Sequence, residues 1–349
     1  MIERRNYGLI LILLGLVILA VSIYLTNPFQ ILFEVKHVNY YYLAIGVVIS
    51  NLALIMYSAS WHIILREFDV KIRLWETVQY TFVGLFVAWL LPIPLGLEAT
   101  RAYLAMHKEN SSVGKAIGSV VVHKSFYNIS FGVIISMAVS IITLFYKFKI
   151  TSINYLIWFM ILFGIGSSVF FILFLNERTL KWLYSRFPSR VQGFFSALIR
   201  YIGSEKEGVI SVIEDIGGII PILRVKMYLT ALSFILVAIQ WFGGPAVSLT
   251  VGLSLRKVFN IWQMVLVWAF AEFIQQVNFL IPGGIGVIDV GLTSGFKAIG
   301  VPSAEAETIA ILSRVITYWL ELPVVTAITL LFSNKAFLKF TSQKENNQS

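Results

Sequence analysis

The chain has 349 residues, of which 58% are apolar and only 13% charged, with a mean hydropathy of +0.82. A soluble protein of this length needs far more charge to cover its surface, so the composition specifies a polytopic membrane protein. The net charge of +9 lies in short basic segments between apolar runs, the positive-inside pattern, which argues against nucleic acid as a partner, and the lack of cysteine excludes disulfides, thiolate nucleophiles and cysteine-ligated metals.

A membrane span takes about 20 apolar residues. The first runs from Tyr7 to Leu25 behind Arg4 and Arg5. Ala20-Val21-Ser22 is weakly cleavage-like, but the apolar run exceeds a signal-peptide core, so an uncleaved anchor is expected. The second spans about Tyr41 to Leu65 and is followed by Arg66, Lys71 and Arg73, which read as cytoplasmic. Val78 to Leu91 is too short to cross. It stops at Pro92-Ile93-Pro94-Leu95-Gly96, where two prolines remove helix donors and fix φ. Long apolar stretches follow at Ala116 to Tyr146 and Tyr155 to Leu175.

From Asn176 to Lys226 there are eight Lys/Arg residues, a cytoplasmic signature. Leu180, Leu183, Tyr184 and Phe187, then Val191, Phe194, Phe195, Leu198 and Ile202, recur at helical spacing and predict amphipathic helices on the bilayer surface. Tyr228 to Leu255 crosses next, with a kink expected at Gly243-Gly244-Pro245. Ile261 to Leu280 enters and breaks at Pro282-Gly283-Gly284-Ile285-Gly286, and Ala304 to Phe332 crosses back to a tail holding Lys335, Lys339 and Lys344. With the basic segments kept inside, charge parity is satisfied by six full spans and two re-entrant hairpins, both termini being cytoplasmic. Eight full spans is the alternative.

Pro92-Ile93-Pro94-Leu95-Gly96-Leu97 can be laid over Pro282-Gly283-Gly284-Ile285-Gly286-Val287, and the same register places Lys124 against Arg314. The fold expected is therefore an all-α membrane bundle of two inverted repeats, each holding a re-entrant or broken helix hairpin. Its boundaries are 1–65 for two N-terminal spans, 66–175 for the first repeat, 176–226 for the interfacial segment, 227–333 for the second repeat and 334–349 for the tail.

Ionisable groups inside a bilayer cost several kcal/mol unless paired or hydrated, so each is a candidate. They are Glu98, Arg101, His123 and Lys124 in the first half, and Glu272, Asp289, Arg314 and Glu321 in the second. Arg314, Tyr318 and Glu321 are spaced to share one helical face, as are Lys124 and Asn128, while Glu272, Gln275 and Gln276 form a polar stripe ending at Asn278. Helices starting just after Gly96 and Gly286 would aim free N–H groups into a cavity, and with Arg101, Lys124 and Arg314 that cavity suits an anionic group such as phosphate. The competing reading is that these charges neutralise one another and hold the hairpins together. Glu76 and His62 sit near span ends and read as interfacial.

No HExxH, Walker loop, GxSxG or paired aspartate motif is present, and the four histidines are too dispersed for a metal site. No catalytic residue, metal or cofactor is therefore assigned. No soluble domain able to bind ATP is read either, so primary pumping by this chain alone is not expected.

At Pro92 to Glu98 with Arg101, and again at Ile281 to Asp289 with Ser313-Arg314-Val315-Ile316-Thr317-Tyr318, the sequence resembles the membrane domain of lysylphosphatidylglycerol synthase, which also occurs alone in flippase-like membrane proteins. The likeness covers nearly the whole chain. It departs at Pro94-Leu95-Gly96-Leu97, where the family reads P-x-G-G, at His123-Lys124, where an acidic-basic pair is usual, and at Asp289, where glutamate is usual. The resemblance implies lipid translocation between leaflets. An anionic phospholipid or a polyprenyl-phosphate-linked lipid would be the cargo, bound by Glu98, Arg101, His123, Lys124, Asp289, Arg314, Tyr318 and Glu321. Lipid synthesis is not implied, because the aminoacyl-transfer domain is absent from this sequence. Two other functions remain open: an intramembrane transferase using Glu98 or Asp289 as base, and a membrane anchor for a glycosyltransferase. The expected partner is an anionic membrane lipid, with a second copy of the chain or a glycosyltransferase as the protein partners left open.

Overall fold

The computed structural model describes residues 16–24, 28–90, 96–107, 112–146, 176–202, 208–278 and 280–332, with isolated positions between 158 and 173. Every regular element among them is helical: a helical stretch at 16–24, then α1 (Pro28–Lys36), α2 (Tyr40–Glu67), α3 (Leu74–Leu90), α4 (Gly96–Met106) and α5 (Val113–Tyr146). Four short helices follow, α6 (Glu177–Arg186), α7 (Ser189–Ile202), α8 (Val209–Gly217) and α9 (Ile219–Val225). The chain continues through α10 (Met227–Gln240), α11 (Gly243–Ser254), α12 (Ile261–Val277), α13 (Val287–Ala298) and α14 (Ser303–Arg314). A π-helical turn at Val315–Trp319 carries α14 on into helical residues 321–332.

Among the described residues, four helices are long and apolar enough to cross a bilayer: Tyr40–Glu67, Val113–Phe145, Met227–Ser254 and Ser303–Phe332. The protein is an all-α membrane bundle. The first expected span is described only over 16–24, and that at Tyr155 to Leu175 only at isolated positions, so both lie largely outside the described residues. Pro92, Pro94 and the tail from 334 lie outside them entirely. The kink in the third long helix falls at Trp241-Phe242, between α10 and α11, because Pro245 in the first turn of α11 has no N–H to continue the ladder.

The hairpin arms have unequal lengths. α3 and α12 have 17 residues each, but the return arms α4 and α13 have 11 and 12. At 1.5 Å per residue a return arm reaches about 17 Å, roughly half the hydrocarbon core, so it cannot cross.

The same four elements occur in the same order twice: a 28-residue helix, a 17-residue arm, a short return arm and a long helix. The two 28-residue helices run antiparallel against each other. Asn39 N–H donates to Ser254 O at 3.0 Å, Gly46 lies against Thr250, Ala53 against Gly243, the Ser60 and Ser233 hydroxyls meet at 2.8 Å, and Glu67 accepts from Thr230. Small side chains allow this close approach. The arm of each set packs on the long helix of the other, through Tyr127 with Glu272 in one case and Tyr80 with Phe332 and Trp89 with Tyr318 in the other. Two buried clusters fill opposite ends of the bundle, and Ala116, Val120 and Val122 of one correspond to Ala306, Ala310 and Leu312 of the other, each 190 positions on.

The second break is held by its own polar groups. Asn278 brackets it, its side chain donating to Ile281 O at 2.8 Å and accepting from Ile281 N–H at 3.1 Å. Gly283, Gly284 and Gly286 all have positive φ, which an L side chain adopts only under strain. A Cβ on Gly283 would also come within 2.2 Å of the Tyr318 hydroxyl, whereas Gly300, at φ +93°, faces open space. Gly300→Ala should therefore cost about 1 kcal/mol of backbone strain, and Gly283→Ala about 3 kcal/mol or more because packing adds to it. Thermal unfolding in detergent checks the order, and equal losses would show that Tyr318 does not clamp the break.

Candidate functional site

In the second half, Asp289 occupies the first turn of α13 and Arg314 ends α14. Their side chains are 4% and 7% exposed, and Arg314 Nε lies 3.6 Å from Asp289 Oδ1, an ion-pair rather than a hydrogen-bond distance. Arg314 also donates to Gly283 O at 2.8 Å, and its guanidinium sits 4.6 Å from the centre of the Tyr318 ring. Asp289 Oδ2 accepts the Gly286 N–H at 2.8 Å. The donor expected to be free for an incoming anion at Gly286 is thus already taken by the protein's own carboxylate.

The π turn changes the expected face of this helix. Leu320 N–H bonds Val315 O at 2.8 Å, so one extra residue enters the turn and rotates the remainder of the helix by about 100°. Tyr318 remains beside Arg314, but Glu321 turns to α2, where the Ser50 hydroxyl donates to it. Glu321 is buried with this hydroxyl and makes no ion pair with Arg314.

The first half repeats the pairing with a different cation. Glu98, in the first turn of α4, meets Lys124 of α5 at 3.0 Å. Lys124 Nζ lies 5.0 Å above the Tyr127 ring, and the Tyr127 hydroxyl donates to Glu272 Oε1 at 2.7 Å, across to the second half. One helical turn along α4, Arg101 is wholly buried with no carboxylate within 4.0 Å among the described residues. Aromatic faces stand in for one: its guanidinium is 3.9 Å from the Trp61 ring centre and 5.1 Å from that of Tyr57, whose hydroxyl it reaches at 3.2 Å. Both terminal nitrogens of Arg101 lie 3.3 Å from His123 Nδ1. Arginine can only donate, so Nδ1 is the acceptor and the imidazole is neutral with its proton on Nε2.

A cavity of about 900 Å³ opens beside this pair, between α4, α5 and the amphipathic helices α6 to α8. Among the described residues its walls are almost wholly apolar, with Ile117, Val120 and Val121 on one side and Leu183, Phe187 and Ile213 on the other, and the ionic groups lining it are Glu98 and Lys124. The helices expected to lie flat on the bilayer therefore roof a cavity. Val209, Val212, Ile213 and Ile216 complete the roof; their i, i+3, i+4, i+7 spacing is legible in the sequence, although the expected amphipathic helices end at Ile202. Lys181 ties the roof together, bonding Glu177 and Glu214 at 2.8 Å each, and these two carboxylates push its ammonium pKa upward.

Of the three expected cations, Lys124 alone lines this cavity, while Arg101 and Arg314 are buried in their own contacts. Gly96 is the first residue of α4. His62 bonds Thr77, and Glu76 accepts from Arg73 N–H at the start of α3. Sequence reasoning does not single out Tyr57, Trp61 or Tyr127, since aromatic residues in apolar helices carry no distinguishing signal. Glu272 is visible in the polar stripe, but its partner on α5 is not.

Removing Asp289 separates the two contributions at the second pair. Asp289→Ala leaves a buried arginine and an uncapped helix, costing about 3 kcal/mol or more. Asp289→Asn keeps an acceptor for Gly286 N–H and should be about 1 kcal/mol less damaging. Denaturant or thermal unfolding of both variants decides this, and identical losses would remove the capping role.

Residues 9–324 match the family model described as "Lysylphosphatidylglycerol synthase TM region". A UPF0104 membrane protein of Methanothermobacter thermautotrophicus is 23% identical over 333 residues, 91% of this chain and 90% of that protein. A second from the same organism is 22% identical, covering 90% and 93% of the two chains, and one from Pyrococcus horikoshii is 18% identical over 95% and 99%. No solved structure matches the chain. The match over nearly its full length shows that this membrane protein belongs to the lysylphosphatidylglycerol synthase transmembrane-region family.

Proposed function

We propose that the protein moves an anionic lipid between the leaflets of the membrane, as a flippase or scramblase. The observation that carries this reading is the cavity of about 900 Å³, apolar along its walls and, among the described residues, ionic at Glu98 and Lys124. A molecule with a hydrocarbon chain and one anionic group matches that pattern. The chain replaces water or lipid against Ile117, Val120 and the roof helices, and the head competes with Glu98 for Lys124. The family description, which names a phospholipid synthase, supports a lipid-related role.

The two hairpin sets support alternating access. Equivalent helices run antiparallel, as inverted repeats require, and each acid–cation pair has a counterpart in the other set. Here the first pair borders a cavity while the second is closed by Gly283 and Tyr318. We read this as one of two alternating states, with the repeats beginning near Tyr40 and Met227 and both termini on the cytoplasmic side. Arg314 then takes the head when its own side opens. A phosphate-bearing phospholipid or polyprenyl-linked lipid fits equally, and association with a second copy or a glycosyltransferase is compatible with the roof facing the cytoplasm.

Reconstitution into liposomes holding head-group-labelled anionic lipids, scored by protection of the inner leaflet from a membrane-impermeant reagent, tests this. The wild-type protein should equilibrate label. Lys124→Ala and Arg314→Ala should slow it at least about tenfold, the loss of one charge-assisted contact. Val121→Trp, which fills the cavity, should do the same. A folded Arg314→Ala protein that retains the full rate overturns the head-group role, and covalently altered lipid after incubation would indicate a transferase instead.

A further inference from the structure

We propose that lipid movement is coupled to the binding of one proton at Glu272, communicated through Tyr127 to the Glu98–Lys124 pair. The proposal rests on the lipid-transport reading and adds the coupling ion to it. Glu272 sits on α12, the entering arm of the second half, and among the described residues no cation lies within 4.0 Å of its carboxylate. Its partner is the Tyr127 hydroxyl at 2.7 Å. The Tyr127 ring lies under Lys124 Nζ at 5.0 Å, and Lys124 holds Glu98 at 3.0 Å on the cavity wall. A chain of three contacts thus joins a carboxylate of one half to the ion pair of the other.

The surroundings of Glu272 leave the proton as its exchangeable partner. From α5 it faces Tyr127 and, beyond the ring, Lys124; through Lys124 it is linked to Glu98 of α4. Tyr57 of α2 touches the Tyr127 ring, at 6.0 Å between centroids, and its hydroxyl accepts from Arg101. α13 carries Asp289 and Lys297, of which Asp289 is committed to Gly286 N–H and Arg314 and Lys297 sits in the last turn. α11 has no titratable side chain, and α12 has none besides Glu272.

Charge balance supplies the coupling. With Glu98 and Glu272 ionised, Lys124 and Arg101 charged, and His123 neutral, the cluster sums to zero. An anionic head arriving at Lys124 leaves the half-buried cluster one negative charge in excess, which is costly among apolar surroundings. Uptake of one proton by the Glu272 carboxylate, from water on the side where the lipid is loaded, restores neutrality: the carboxylate gains the proton and one O–H bond, and no other bond changes. Release of the lipid returns the positive charge of Lys124 to the cluster and expels the proton on the far side. Anion and proton cross together, one of each.

Proteoliposomes with head-group-labelled anionic lipid and an internal pH indicator test this. Imposing one pH unit across the membrane, acidic on the loading side, should shift the steady-state leaflet distribution about tenfold, the free energy of one proton per lipid. The indicator should report proton entry that depends on lipid. Glu272→Gln, which keeps an acceptor for the Tyr127 hydroxyl, should lose both the shift and the proton signal, and Tyr127→Phe should weaken them. Wild-type protein that moves lipid but ignores the gradient overturns the coupling and leaves the lipid reading standing. A gradient response preserved in Glu272→Gln overturns the assignment to this residue. Wild-type protein that moves no lipid at any pH overturns both.

Discussion

Backbone that leaves the helical ladder inside a membrane has no water to satisfy it, so every N–H and C=O at the second break must find a partner in the protein. Asn278 takes both groups of Ile281, Gly284 N–H returns to Ile281 O, Asp289 caps Gly286 N–H, and Arg314 closes Gly283 O. The last two of these bring an acid and a cation together as a consequence of closing the loop. Much else depends on that closure: α13 can start directly after Gly286, and Tyr318 can stack on the guanidinium and fill the space left by Gly283.

The first half uses the same placement of charges with less complete enclosure. Glu98 and Lys124 retain 14% and 18% side-chain exposure, against 4% and 7% for Asp289 and Arg314. A pair that borders open volume can exchange partners, whereas a pair sealed by an aromatic ring and a carbonyl cannot until that seal moves. The difference between the two pairs is one of access rather than of chemistry. Arg101 adds a fixed positive charge behind Lys124, held by Trp61 and Tyr57 faces instead of a carboxylate. Among the described residues no carboxylate lies within 4.0 Å of it.

The short helices between the two sets close over a cavity. Leu183, Phe187 and Ile213 turn inward over Ile117 and Val121, while Lys181 of α6 pairs with Glu177 on its own helix and links it to α8 through Glu214. Amphipathicity is satisfied by a cavity wall on the apolar side and headgroups or water on the other, so the hydrophobic pattern of such a segment cannot distinguish a roof from a raft.

Membrane residence, the helical class, the positions of the long helices and the second Pro/Gly break were determined by the sequence, because these depend on local quantities: run length, the missing proline N–H, and glycines at Gly283, Gly284 and Gly286 where φ is positive. The partnership of cations with acids was partly legible too, since an ionisable residue in lipid requires an opposite charge or water. Which acid meets which cation was decided by tertiary structure alone. Glu98 reaches Lys124 rather than Arg101, the nearest basic residue in the chain, because α4 and α5 cross where they do. The meeting of Tyr127 with Glu272 across 145 positions, the turning of Glu321 to Ser50 by a single π-turn residue, and the enclosure of a cavity beneath α6 to α8 all arise from helix packing. Periodicity states which face of a helix is apolar, but the partner of that face is set by three-dimensional contacts between distant segments, to which no local pattern is sensitive.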